Sequence, residues 1–119
     1  MLLGRVGAPG YGLDVITSDV IDEIGVRLGA AIPPRSRVLL FGSRARGEAG
    51  DQSDFDVLMI EPEVADAAAE SVRLRRELRG LGVPIDVVVV DEAKVERRRM
   101  VRGTMIEQAW RDGRLLVDS

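Results

Sequence analysis

Asp54 and Asp56 stand one residue apart at the head of the apolar run Val57-Leu58-Met59-Ile60. Successive side chains of a strand point to opposite faces. A strand from residue 54 to residue 60 therefore sets both carboxylates on one face, with Phe55 and Val57 on the other. Separated from Asp54 by a ten-residue spacer, Gly42-Ser43 closes another short apolar run, Arg37 to Phe41. A third run, Ile85-Asp86-Val87-Val88-Val89-Val90, holds one carboxylate among valines. Valine runs of this length read as a central strand covered on both faces. Strands spaced this way, with helical patterns between them, imply an α/β fold with a short mixed sheet, helices packed mainly on one face and a cleft open on the other.

The segments between the strands set the remaining expectations. Residues 1–16 are rich in glycine and read as a flexible N-terminal arm; residues 17–119 form one domain, the usual outcome at this length. Thr17 or Ser18 offers an N-cap ahead of Asp19, Asp22 and Glu23, and Val20, Ile21, Ile24 and Leu28 recur at helical spacing. A helix over residues 18–31 follows, ended by Pro33-Pro34. Residues 43–48 suit one or two helical turns and residues 48–53 a loop. A long helix is expected over residues 64–81, with Val64, Ala68, Val72 and Leu78 near one face and Gly80 and Gly82 at its end. Residues 92–102 read as a charged helix, and Gly103-Thr104 as a break. A second helix then runs through Met105, Ile106, Ala109 and Trp110, with Trp110 in the core. Leu115-Leu116-Val117 suits a final strand or a docked tail.

Composition removes several chemistries. With no cysteine and no histidine, the chain has no disulfide, no thiolate or histidine metal site and no histidine acid–base catalysis. Carboxylates, serine, arginine and bound metal must do any work. The net charge of −3 and the absence of a lysine-rich tract do not favour nucleic acid as a partner. Arg97-Arg98-Arg99 and Arg102 read as a solvated helix face. The apolar runs are too short to span a membrane and the N-terminus is unlike a secretory signal, so a cytoplasmic protein is expected.

Two close carboxylates repel one another unless a cation lies between them. Magnesium is the natural choice: it takes oxygen ligands, typically one or two carboxylates plus substrate phosphates. Asp86 is costly to bury unpaired, so it should face the same cleft and serve as a third ligand. Gly42 lets a phosphate approach the backbone. Free N–H groups at the start of a helix opened by Ser43 would point at that anion. The Ser43 hydroxyl adds a donor, and Arg44 and Arg46 lie close enough in sequence to clamp a triphosphate. Nucleotidyl transfer from a nucleoside triphosphate fits, with two Mg2+ ions held by Asp54, Asp56 and Asp86 activating the attacking hydroxyl and steadying the leaving pyrophosphate.

Gly42-Ser43, the spacer, Asp54-x-Asp56 and the later strand aspartate Asp86 resemble the nucleotidyltransferase superfamily related to DNA polymerase beta. The stretch GSRARGEAGDQSDFD is similar to its minimal nucleotidyltransferases. The resemblance runs from about Thr17 to Val117 and implies the polymerase-beta-like nucleotidyltransferase fold. It also implies an antitoxin role beside a small helical HEPN-type toxin, in which AMP passes from ATP to a tyrosine of that toxin. Relatives that modify RNA or small molecules, and an antitoxin that merely sequesters its partner, stand as alternatives. A chain this small is expected to associate with itself or with a toxin.

Overall fold

The alternation of the apolar runs builds a sheet with two buried faces. The computed structural model describes residues 12–42, 45 and 54–119. Its elements are α1 (Gly12–Ala31), β1 (Arg37–Phe41), β2 (Phe55–Glu61), α2 (Ala67–Glu77), β3 (Ile85–Asp91), α3 (Glu92–Arg98), α4 (Met105–Asp112) and β4 (Arg114–Asp118). The sheet order is β3-β2-β1-β4. β1 pairs antiparallel with β2 and with β4, while β2 and β3 run parallel, joined through α2 as a parallel pair requires.

Val38, Leu40, Val57, Met59, Val87 and Val89 turn to one face, where Ile24 and Leu28 of α1 and Leu74 of α2 cover them. Leu39, Phe41, Leu58, Ile60 and Val90 turn to the other, beneath Val95 of α3 and Ile106 and Ala109 of α4. The two longer helices thus lie on the first face, and two short helices cover part of the second. Among the described residues no helix is long and apolar enough to cross a membrane.

Several local readings change, among them the charged helix expected over residues 92–102, which ends at Arg98. α1 begins at Gly12 rather than at residue 18, because no proline or glycine interrupts residues 13–24 and Ser18 sits inside the helix instead of capping it. The rest of the expected arm lies outside the described residues, as does the loop over residues 48–53. α2 is shorter than residues 64–81. Asp66 caps it, accepting from Ala69 N at 3.0 Å, and the chain leaves it through Leu78, whose N–H turns back to Arg75 O at 3.0 Å. Its buried side is Leu74 and Leu78, while Val72 is 46% exposed. β3 is an edge strand rather than a central one; helices on both faces bury its valines without a second neighbouring strand.

Trp110 also departs from its expected place. Ile106 and Ala109 take the inward side of α4, which leaves the indole at the surface. There the guanidiniums of Arg37 and Arg99 stand 5.2 and 5.6 Å from its ring centroid, distances suited to cation–π attraction.

Candidate active site

Strand register brings two of the expected carboxylates together. In the parallel ladder Asp56 lies opposite Asp86, on neighbouring strands about 4.8 Å apart. The pairing is set one step earlier, where Phe55 N donates to Pro84 O at 3.0 Å. Both aspartates share the face of Leu58, Ile60 and Val90, at the end of the strands away from α3. Asp54 immediately precedes β2 and is exposed, as is Asp86; Asp56 is half-buried. On the other side of Asp56 the antiparallel ladder sets Phe41, so one flank of the site is apolar.

Gly42 follows Phe41 with φ +78°, the left-handed region that L side chains rarely adopt. A Cβ added there would stand 2.6 Å from Asp56 Oδ2. The turn therefore presses bare backbone against a carboxylate, and only glycine fits both the dihedral angle and the space.

Burial, then the charge of Asp86, then that of Asp54 raise the Asp56 carboxyl above its ordinary value. The charges of Asp86 and Asp54 are near enough to disfavour the ionisation of Asp56. Carboxylate oxygens are hard donors suited to a hard divalent cation, and this repulsion is what such a cation would relieve. Among the described residues no group of three acidic side chains is placed to hold a metal ion by itself. An open set of this kind fits an ion that takes its remaining ligands from substrate phosphate and water. Ser43, Arg44 and Arg46 lie outside the described residues. Ala45, between them, is helical and packs against the main core.

The sequence reading passed over one polar cluster. Glu61 closes β2, and Glu70 and Arg73 reach toward it from α2. The available signal was a carboxylate ending an otherwise apolar strand, followed by a glutamate and an arginine three residues apart on the next helix.

The family described as nucleotidyltransferase domain matches residues 27–116. No curated protein matches the chain in sequence. Among solved structures, it is similar to a Sulfolobus solfataricus protein assigned to the nucleotidyltransferases, with 24% identity over 93% of each chain and a TM-score of 0.61. It is also similar to a chain of a toxin–antitoxin structure with AMP-PNP, with 22% identity over 83% of this chain and 73% of that one and a TM-score of 0.61. At these identities the likeness is one of fold.

Proposed function

Since the chain belongs to the nucleotidyltransferase domain family, we propose that it transfers AMP from ATP to a tyrosine of a HEPN-type toxin and so acts as that toxin's antitoxin. The observation that carries the reading is the lateral pairing of Asp56 with Asp86, with Asp54 beside them and Gly42 pressed against Asp56. The toxin–antitoxin structure of like fold contains an ATP analogue, which favours both ATP as donor and a toxin as partner.

In this reading Asp54, Asp56 and Asp86 hold magnesium, which when bound neutralises phosphate charge and lowers the pKa of the attacking hydroxyl. Gly42 offers backbone to the triphosphate, with Ser43, Arg44 and Arg46 as further phosphate contacts. The acceptor oxygen bonds the α-phosphorus as the bond from that phosphorus to the α–β bridging oxygen breaks, and pyrophosphate departs. Asp86, exposed at the edge of the sheet, receives the acceptor's proton. Phe41 walls one side of Asp56 with apolar surface, and a drier site strengthens every charge interaction within it.

Incubation with labelled ATP, magnesium and the partner toxin should place label on a toxin tyrosine. The double change Asp54→Ala and Asp56→Ala should cut labelling at least about a thousandfold, in line with the 10²–10³ typical of losing one charge-stabilising group. Label on RNA or a small molecule alone would overturn the tyrosine acceptor. A double variant that still neutralises the toxin fully would replace catalysis by sequestration.

A further inference from the structure

Glu61 lies at the opposite end of β2 from Asp56 and is only 4% exposed. By alternation it faces α1 and α2. Its Oε2 meets no donor among the described residues, an expensive arrangement for an ionised carboxylate. Beside it on α2 stands Glu70, and a hydrogen bond between two carboxyl groups requires that one keep its proton. Glu70 is itself gripped by Arg73, from Nε to Oε1 at 2.8 Å and from Nη2 to Oε2 at 2.7 Å. The same Nη2 reaches Ala31 O at the end of α1, at 2.9 Å. A cavity of about 340 Å3 adjoins the cluster, lined by Glu61, Glu63, Asp66, Ala69, Glu70 and Arg73 among others.

Among the described residues no other neighbour offers Glu61 a compensating charge. Asp66 is engaged in capping α2. Asp91, level with Glu61 in the ladder to β3, accepts from Lys94 N in capping α3. Glu63 adds negative charge, and Glu77 acts on Arg73 from farther along α2. Ser36, one residue before the Arg37–Ile60 pair in β1, is fully buried, and its hydroxyl too meets no partner among the described residues.

We propose that Glu61 is a proton-operated latch between β2 and α2. With its proton, Glu61 donates to Glu70 and completes a chain through Arg73 to the end of α1. Without it, two carboxylates oppose one another beside the cavity and α2 loosens. Burial, the hydrogen bond to Glu70 and then that group's charge push Glu61 up to about 7, against the pull of Arg73. The hydrogen bond from Arg73, and next the one with Glu61, hold Glu70 down at about 2. A raised carboxyl favours the closed form below its ordinary value of 4.5, and that advantage is lost as pH rises toward about 7. Because α2 packs on β3, its loosening reaches the strand that carries Asp86.

Hydrogen exchange of the α2 amides, corrected for intrinsic rates, tests the latch without reference to catalysis. Wild-type protection should fall at least about tenfold between about pH 5 and about pH 8, since each unit of raised pKa is a factor of ten. Glu61→Gln donates to Glu70 at every pH and should hold protection level. Glu70→Gln removes the opposing charge and should flatten the profile too, which keeps the test open if the first variant folds poorly. Equal falls in wild type and either variant, or a level wild-type profile, would overturn the proposal.

Discussion

Gly42 shows how one residue's geometry bears on a whole site. Its φ of +78° costs a residue with a side chain about 1–2 kcal/mol, and a methyl group would also press on Asp56 Oδ2. Gly42→Ala should therefore lower stability by about 1–3 kcal/mol and labelling activity by a larger factor, because the displaced carboxylate is one of the proposed metal ligands. Thermal melts and the ATP-labelling assay run side by side would separate the two losses. The placement of Asp56 near the start of β2 was legible beforehand because alternation along a strand is a local rule. The contact between Gly42 and Asp56 was not, since it depends on how β1 lies against β2.

At the scale of elements, strands were read more truly than helices. β1 ends where expected, at Gly42, and β2 and β3 each run one residue past the expected end, to Glu61 and Asp91. Short apolar runs between breakers leave little choice of boundary. α2 was read correctly only in part: Leu78 and Val64 pack on the core as expected, while Val72 is exposed and Leu74 is buried in its place. Its alanines, arginines and glutamates mark no clear apolar stripe, so Val72 and Leu74 compete as anchors, and packing against β3 chooses Leu74. Leu74→Ala should cost about 2–5 kcal/mol, as truncation of a fully buried leucine does. Val72→Ala should change stability by less than about 0.5 kcal/mol, as exposed positions usually do. Urea denaturation of both variants checks the orientation; equal effects would contradict the observed packing.

At the scale of the whole molecule, like charges collect at the end of the sheet where β2 and β3 begin. The raised Asp56 carboxyl means that the folded state holds this proton more tightly than the unfolded chain. Stability of the metal-free protein is therefore reduced as pH rises from the ordinary 3.8 through the raised value. Asp56→Asn should raise the melting temperature at neutral pH, with the gain vanishing near pH 3, below both values. Magnesium with a non-hydrolysable ATP analogue should stabilise wild type by about 2.7 kcal/mol at a hundredfold excess over Kd and the variant far less. A variant no more stable than wild type at neutral pH would remove the electrostatic cost inferred for this site. Local sequence determined the α/β class, the strands and the chemical identity of the three aspartates, because side-chain alternation and chain breakers act over a few residues. Only the tertiary structure decided that β3 lies at the edge in register with β2, that Trp110 faces solvent, and that Glu61 meets Glu70 and Arg73. Each of these depends on which surfaces, distant in the chain, exclude water from one another.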